Sequence, residues 1–417
     1  MLYVLWFIIA FSIVTAGYGY AGWRILTPAH FPAPWNWIAW ILLALLLVLP
    51  VAAMSVEFNR LEFPLKKELE WGAYISLGFF SMVITLLVMR DVAWLIVTGA
   101  QKLIGPVFGM NGGTLHPGDA ADPHRREHLV QWMNIGLIAA AGGLTAYGIF
   151  EARRRPAVVE VTVPVKDLPG TLHGFRIVQI TDIHAGLTVT RPFVETVVEM
   201  ANEQMGDIVA FTGDLVDGTV DQLREHVAPM KNLQGRYGRY FITGNHEYYS
   251  GALPWVEEAK RLGFDVLLNE HRVIHHGGGT IILAGVTDSS AGGFIPGHRS
   301  DPHKAIDGAP TADVRILLAH QPKSLYEGSK AGFDVQISGH THGGQFFPWN
   351  FLATIGQPYI KGLHKFADTW IYVSKGTGYW GPPVRLAARS EITVLTLVRE
   401  AGASAPPLYT PILPAAS

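Results

Sequence analysis

The chain of 417 residues contains no cysteine. It can therefore form no disulfide bond, no cysteine-ligated iron–sulfur cluster and no thiolate zinc site. Any metal that it binds must be held by histidine, carboxylate or amide side chains. The lack of disulfides is compatible with either side of a membrane, so the cysteine count leaves the compartment open.

Charge is also scarce in this sequence. Only 16% of the residues are charged, and the formal net charge is -2 at pH 7. A chain so close to neutral has no overall charge imbalance that would attract a polyanion, so no nucleic acid partner is expected. Hydrophobic residues make up 49% of the chain, which is high for a wholly soluble protein, and the excess lies in the amino-terminal third.

The apolar residues concentrate in four long uncharged runs. Each run reaches the ~20 residues that a helix needs to cross the hydrocarbon core of a bilayer. One such run would also suit a buried core helix, but four in succession predict an α-helical four-span membrane region within residues 1–155. Arg90 and Asp91 interrupt the third run, and residues 92–100 beyond them either extend it or lie re-entrant at the interface. The runs are residues 2–23, 31–56, 71–89 and 129–150.

Basic residues are distributed unequally around these runs. Four spans place both ends of the region on one side, together with the loop between the second and third runs. Six basic residues flank that side and four flank the other, which predicts a multi-pass protein with its carboxyl-terminal part in the cytoplasm. The six are Arg60, Lys66, Lys67, Arg153, Arg154 and Arg155, and the four are Arg24, Lys102, Arg125 and Arg126.

The sequence changes character at Pro156. Short β-type runs alternate there with helix-compatible segments, which predicts βαβ units and a largely parallel sheet. Later runs come with fewer helices, so we expect a second sheet. An α/β domain is therefore predicted over residues 156–400, followed by a disordered low-complexity tail, residues 401–417.

Five of the β-type runs end in side chains that can bind metal. In α/β folds ligands bind beyond the carboxyl ends of the strands, where these side chains would meet. Each has an ordinary alternative when taken singly: Asp182 suits a helix cap, and Gly213–Asp214 suits a turn. Together they predict a dinuclear metal site for phosphate-ester chemistry. The residues are Asp182 and His184, then Asp214, then Asn245, His246 and Glu247, then His320, and finally His340 and His342.

Over roughly residues 170–398, the order of these segments resembles that of the calcineurin-like metallophosphoesterase superfamily. The segments are D-x-H, G-D, G-N-H-[DE], a lone H and G-H-x-H. The segments 172–186, 211–218, 339–345 and 376–386 are similar to a bacterial, membrane-associated branch of phosphohydrolases. That branch includes enzymes that split the pyrophosphate of UDP-2,3-diacylglucosamine. The resemblance implies a two-sheet sandwich flanked by helices, and a location in the bacterial inner membrane.

The resemblance also implies a division of the ligands between two divalent ions. It assigns three ligands to each ion and makes Asp214 the bridge. A shared anion is what two dications about 3.5–4 Å apart require, because it offsets their repulsion. Mixed imidazole and oxygen donors suit Mn, Fe or Zn. One ion would take Asp182, His184 and His342, and the other Asn245, His320 and His340.

Within the same pattern His246 faces the substrate. It would protonate the leaving oxygen or stabilise the phosphoryl charge, and Glu247 would orient it. The nucleophile would be a metal-bound hydroxide. Asp217 lies either near the metals or at the cap of a helix that starts near Val220. Tyr379, Trp380, Pro382 and Pro383 form either a loop wall near the site or ordinary packing, and packing is the favoured interpretation.

The sequence is compatible with three functions. The favoured one is hydrolysis of a phosphate ester or pyrophosphate on a membrane-associated or lipid-linked substrate, with the lipid bilayer as partner. The second is the same chemistry on soluble nucleotides or phosphodiesters, with the spans as an anchor only. The third is a non-catalytic metal-binding scaffold, which the presence of His246 argues against.

Overall fold

The computed structural model describes residues 2–58, 63–104, 123–400 and 409–411. The chain divides into two compact units, Met1–Gly148 and Ile149–Ser417. The first unit is helical. Its helices are α1 (Leu2–Ile25), α2 (Trp35–Phe58), α3 (Lys66–Ile104) and α4 (Pro123–Arg153), the last of which ends in the second unit.

The helices of the first unit correct the predicted number of spans. Within the described residues, three segments are long and apolar enough to cross a membrane, not four: Trp35–Ala53, Lys66–Ala100 and His128–Arg153. The first predicted run does form a helix, α1, but its side chains are described only from residue 11 onwards. That part is shorter than the ~20 residues that a span requires.

Helix α3 runs without a break through Arg90 and Asp91. The two charges do not end the helix, because polar groups of neighbouring helices bind them. Asp91 accepts hydrogen bonds from Arg24 at 2.6 Å and from Tyr20 at 2.5 Å. Arg90 donates to the side chain of Asn134 at 2.6 Å. Residues 92–100 therefore extend the helix and are not re-entrant.

The second unit contains two mixed sheets flanked by helices. The first sheet has the strand order β13-β1-β12-β2-β3-β4-β5 and the second β10-β11-β9-β8-β7-β6. The strands are β1 (Ala157–Val165), β2 (Arg176–Ile180), β3 (Ile208–Phe211), β4 (Arg239–Phe241), β5 (Asp265–Val266), β6 (Glu270–His276), β7 (Gly279–Gly285), β8 (Val314–Leu318), β9 (Val335–Ser338), β10 (Gly362–Phe366), β11 (Thr369–Val373), β12 (Glu391–Arg399) and β13 (Tyr409–Pro411). The helices are α5 (Arg191–Glu203), α6 (Val220–Val227), α7 (Asn245–Ser250), α8 (Ala252–Arg261), α9 (Pro302–Ile306), α10 (Leu325–Lys330) and α11 (Trp349–Leu352).

The prediction of two sheets with helices is confirmed, but neither sheet is wholly parallel. The parallel ladders are β2–β3–β4–β5 in the first sheet and β7–β8–β9–β11 in the second. Antiparallel pairs close the edges, such as β6 with β7 and β10 with β11. In addition, β12 pairs antiparallel to β2 and so reverses direction inside the first sheet.

Alternate residues of the central strands supply two separate cores. In β3, Ile208 faces a cluster shared with Ile316 and Val335 of the other sheet, which makes the two sheets a sandwich. The next residue, Val209, faces the opposite cluster, which helices α5, α6 and α8 cover. Helix α5 contributes its apolar stripe Val194, Val197, Val198 and Ala201, whose spacing keeps one helical face buried.

Part of the predicted disordered tail has a defined place. Residues 409–411 form β13, which pairs antiparallel with β1. The rest of the tail, residues 401–408 and 412–417, lies outside the described residues.

Candidate metal centre

The parallel strands of both sheets bring the predicted ligands to one edge. Asp182 and His184 follow β2, and Asp214 follows β3. Asn245 opens helix α7 after β4. From the second sheet, His320 follows β8, and His340 and His342 follow β9. Each ligand lies just beyond the carboxyl end of its strand, so strands far apart in sequence assemble one site.

A first group of donors consists of Asp182, His184 and His342, whose ligand atoms lie within 4.8 Å of one another. The Nε2 atoms of the two histidines are 3.0 Å apart. His342 Nε2 lies 3.5 Å from Oδ1 of Asp182. All three residues are buried. Three buried residues whose ligand atoms converge so closely could hold a cation.

A second group consists of Asp214, His320 and His340, again within 4.8 Å. Nδ1 of His320 lies 2.8 Å from the carbonyl oxygen of Thr212, which can only accept, so Nδ1 carries the hydrogen. The lone pair of Nε2 is therefore free to bind a metal. This Nε2 lies 3.0 Å from Oδ2 of Asp214.

Asp214 lies between the two groups. Its Oδ2 atom is 3.0 Å from Nε2 of His320 in the second group and 3.7 Å from Nε2 of His184 in the first. The other oxygen, Oδ1, accepts the backbone N–H of His246 at 2.9 Å. One carboxylate oxygen of Asp214 thus lies close to donors from both groups.

Two donor atoms in this site are buried without a hydrogen-bond partner, namely Oδ1 of Asn245 and Nε2 of His320. A buried polar atom that is left unpaired costs about 1–3 kcal/mol. Two such atoms beside a shared carboxylate fit a site built to bind a cation. The residues present therefore fit the pair of divalent ions that the sequence pattern predicts.

The backbone at the ligands adopts an uncommon conformation. The φ angles of Asp182, His184 and Asp214 are 54°, 52° and 56°, and those of His340 and His342 are 73° and 50°. Non-glycine residues rarely adopt the left-handed region, and each instance costs of order 1–3 kcal/mol. Strain of this kind concentrates at functional sites, so five instances among seven predicted ligands favour a binding role.

Glycines beside the ligands permit the close packing of these loops. A Cβ atom at Gly244 would collide with Oδ1 of Asp214, and one at Gly339 would collide with Oδ2 of Asp182. These glycines belong to the G-N-H and G-H-x-H segments. Their role is steric, because they let a neighbouring loop approach the carboxylate.

Burial and neighbouring charges shift the pKa values of several donors: those of His340, His342 and Asp214 fall, whereas those of His320 and Asp182 rise. Burial raises the pKa of Asp182; burial alone would lower the pKa of His320, but the charge of Asp214 raises it. Burial lowers the pKa of His340 to about 3 and holds the pKa of His342 well below its usual range. Both rings are therefore neutral, as metal ligands must be. Burial alone would raise the pKa of Asp214, but the neighbouring rings of His320 and His246 hold it well below its usual range.

Asp217 joins the first group to His246. Its Oδ1 atom lies 2.9 Å from Nδ1 of His184 and 2.6 Å from Nδ1 of His246. The sequence left this residue between a helix cap and a site residue, and its hydrogen bonds place it in the site. Although burial alone would lower the pKa of His246, the charges of Asp214 and Asp217 raise it to about 9.

Glu247 has a different role from the one expected. Its two oxygens accept the backbone N–H groups of Gly244, Asp214 and Leu215 at 2.6, 2.9 and 2.7 Å. The expectation that Glu247 orients His246 was wrong, because both oxygens are used to hold the loop that carries Asp214. The partner of His246 is Asp217.

Two residues of the GTGYWGPPVRL segment also reach the site. Arg385 is fully buried, and its Nη2 lies 3.0 Å from Nδ1 of His342. Trp380 is 56% exposed, and its ring centroid lies 5.7 Å from that of His246. The packing role expected for Tyr379 and Trp380 therefore holds for buried Tyr379 only. A single sequence carries no signal for either contact, because both join segments far apart in the chain.

Comparison with known proteins agrees with this geometry. The calcineurin-like phosphoesterase family matches residues 175–344, which include all seven predicted ligands. A transmembrane protein with metallophosphoesterase domain from Danio rerio is 41% identical over 262 residues, which cover 61% of this chain and 60% of that protein. A metallophosphoesterase of Helicobacter pylori strain J99 is 37% identical over 281 residues, which cover 66% of this chain and 73% of that protein.

The chain thus matches only about three fifths of the length of the Danio rerio protein. Among solved structures, the 5'-nucleotidase precursor of Thermus thermophilus aligns with a TM-score of 0.35 at 17% identity, over 53% of this chain and 54% of that one. A similarity of this size has no bearing on the reaction.

Proposed function

Because this chain belongs to the calcineurin-like phosphoesterase family, we propose that it is a dinuclear metal-dependent phosphohydrolase. It would cleave a phosphodiester or pyrophosphate on a membrane-associated or lipid-linked substrate. The observation that carries the proposal is the position of Asp214, whose Oδ2 lies between two groups of buried donors at 3.0 and 3.7 Å.

In this proposal Asp182, His184 and His342 would hold one ion, and Asn245, His320 and His340 the other, with Asp214 shared. The donor set is rich in imidazole, which favours Mn, Fe or Zn over Mg or Ca. When bound, two such ions would lower the pKa of the attacking water and neutralise charge on the phosphoryl group.

His246 would act on the leaving group. Its ring is half-buried, and Nδ1 lies 2.6 Å from Oδ1 of Asp217, which accepts the hydrogen on Nδ1. Nε2 is therefore the ring atom left to face the substrate. A carboxylate at Nδ1 stabilises the protonated ring, which can then donate a proton to the leaving oxygen. The ring of Trp380 lies beside His246 at 5.7 Å and would form a wall of the substrate site.

The membrane link is supported by the first unit. Among the described residues, three segments are long and apolar enough to span a bilayer, and the last of them, His128–Arg153, ends in the second unit. A hydrolase joined so closely to a membrane has ready access to phosphate groups at the lipid surface. We propose the inner membrane of a bacterium as its location, with the second unit in the cytoplasm.

The proposal can be tested on the full-length protein in detergent and in lipid nanodiscs. Elemental analysis should find about two transition-metal ions per chain. The protein should hydrolyse bis(p-nitrophenyl) phosphate and a lipid-linked pyrophosphate, and a chelator should abolish both activities. Activity that survives the chelator would overturn the metal mechanism. A higher kcat/KM for soluble nucleotides than for the lipid-linked pyrophosphate would overturn the lipid assignment.

A further inference from the structure

A group of exposed apolar side chains lies just after the metal-binding segment of β9. We call residues 346–360 the aromatic loop. Phe347, Trp349, Phe351 and Ile355 in this loop are 39%, 46%, 61% and 75% exposed. Single exposed apolar residues are normal, but several within one short segment mark a contact surface for a protein or a membrane.

The aromatic loop is fixed to the metal centre at both ends. At its start, the Gln345 amide donates to the carbonyl of Trp380 at 3.0 Å and accepts the backbone N–H of Trp380 at 3.1 Å. At its end, the hydroxyl of Thr341 donates to the carbonyl of Ile360 at 2.6 Å. Thr341 and Gln345 flank the predicted ligand His342, so the base of the loop is part of the site.

Along the sequence, the charge near the aromatic loop is of one sign. The sequence contains no aspartate or glutamate between Asp334 and Asp368. Lys361 directly follows the loop, and Lys323 lies beside it, because the Lys323 backbone N–H donates to the side chain of Gln357 at 3.0 Å. Aromatic rings settle at the headgroup level of a bilayer, and lysines are attracted to anionic lipids. A surface of exposed aromatic and basic residues therefore suits a lipid bilayer better than it suits a protein partner.

The second unit also begins close to the end of a candidate membrane span. The candidate span that ends at Arg153 is followed by β1, which begins at Ala157. The three residues between them extend over roughly 10 Å at most. A bilayer that surrounds this candidate span would therefore lie close to the start of β1.

The last turn of α4 packs into the apolar core of the second unit, and the aromatic loop is bonded to a residue next to that core. Ala152, in the last turn of α4, is fully buried in the same apolar cluster as Tyr379. The next residue, Trp380, is the one that Gln345 binds at the start of the loop. The end of α4 and Tyr379 thus share one apolar cluster, and the base of the loop binds the residue that follows Tyr379.

We propose that the aromatic loop inserts into the interface of the bilayer that anchors the chain. The side chains of Trp349, Phe351 and Ile355 would enter the headgroup region and hold the metal centre against lipid phosphate groups. This inference rests on the proposed function and deepens it, because it identifies the surface that selects a lipid-borne phosphoester over a soluble one.

The lack of native cysteine makes a site-specific test possible. Full-length Phe351→Cys and Ile355→Cys variants would be labelled with a fluorophore and reconstituted into vesicles of phosphatidylethanolamine and phosphatidylglycerol that contain a spin-labelled lipid. The matched control is Met205→Cys, since Met205 is 83% exposed and precedes β3, at the strand end opposite the metal centre.

The spin label should quench the fluorophore several-fold more strongly at positions 351 and 355 than at position 205. Equal quenching at all three positions would overturn the proposal. The result does not depend on turnover, so it stands apart from the proposed function.

A turnover measurement would then connect insertion with substrate choice. In the double variant Trp349→Ser/Phe351→Ser, the ratio of kcat/KM for a lipid-linked pyrophosphate in vesicles to that for bis(p-nitrophenyl) phosphate should fall about tenfold, as expected when two aromatic anchors are lost. An unchanged ratio would contradict selection by the loop. If the wild type hydrolyses neither compound, the proposed function fails, and the quenching result still decides whether the loop inserts.

Discussion

Oδ1 of Asp217 lies 2.6 Å from Nδ1 of His246. The same oxygen lies 2.9 Å from Nδ1 of His184, a predicted metal ligand. One carboxylate thus sets the tautomer of both rings, because it can only accept and each Nδ1 must carry the hydrogen. The proposed proton donor and the proposed metal ligand are therefore oriented by a single side chain.

Replacing Asp217 with Asn should harm both functions. Partners that orient metal-ligating histidines typically contribute about 10–100-fold to metal affinity or activity, so a loss of that size is expected in each. Metal affinity would be measured by competition with a chelator, and kcat with bis(p-nitrophenyl) phosphate and with a lipid-linked pyrophosphate.

A double-mutant cycle separates the two roles of Asp217. In the His246→Ala background, Asp217→Asn should still lower metal affinity but should reduce kcat little further, because the ring that it orients is gone. Full additivity in kcat would contradict the orienting role.

Replacing Asp214 with Asn should be the most damaging change among the ligands. Oδ2 of Asp214 lies close to donors of both groups, whereas Asp182 belongs to the first group of donors only. Asp214→Asn should therefore lower the content of both ions, and Asp182→Asn that of one. Elemental analysis of the two purified variants checks this difference. A greater loss of metal from Asp182→Asn would show that Asp214 is not shared.

Glu247 should matter for stability as much as for activity. It accepts three buried backbone N–H groups, and Glu247→Ala would leave them without partners. Each unsatisfied group costs about 1–3 kcal/mol, so the apparent melting temperature should fall by several degrees. Thermal unfolding of the variant in detergent tests this, with Glu257→Ala as the control, since Glu257 is an exposed residue of α8. An equal melting temperature for both variants would contradict the role of Glu247 in holding the loop.

The sequence predicts those features that depend on local pattern. Apolar runs before Asp182, Asp214 and His340 identify strands, and a polar donor at the end of each identifies the edge where a site forms. The two sheets and the family follow from the same local signals. These features can be predicted without knowing the order of the strands in the sheets.

Contacts between distant segments were not predictable in the same way. Gln345 and Trp380 are 35 residues apart, and their hydrogen bonds depend on how the loops after β9 and β11 meet. The partner of His246 was misassigned for a similar reason, because Glu247 is its neighbour in sequence but the fold turns Glu247 towards the backbone of Asp214. The four predicted spans included α1, whereas the described residues contain three candidate spans, in α2, α3 and α4.

The orientation of the second unit can be tested independently of α1. If only α2, α3 and α4 cross the membrane, the end of α4 lies on the same side of the membrane as the loop between α2 and α3. Basic residues are more frequent on that side, so a reporter fused after Ser417 should be active in the cytoplasm. A reporter that is active only outside the cytoplasm would reverse the orientation and change the pool of available substrates.

The last prediction separates binding from chemistry at His246. His246→Ala should retain both metal ions, because the atoms assigned to the metals belong to other residues. A positioned general acid contributes about 10²–10⁴-fold, so kcat should fall by that factor. The loss should be small for a nitrophenolate leaving group, which needs little protonation, and large for a sugar phosphate or nucleotide. Metal content and kcat measured on both kinds of substrate distinguish the possible outcomes.

A parallel loss of metal would make His246 a ligand. An equal loss of kcat on both kinds of substrate would mean that the ring stabilises phosphoryl charge and does not protonate the leaving oxygen.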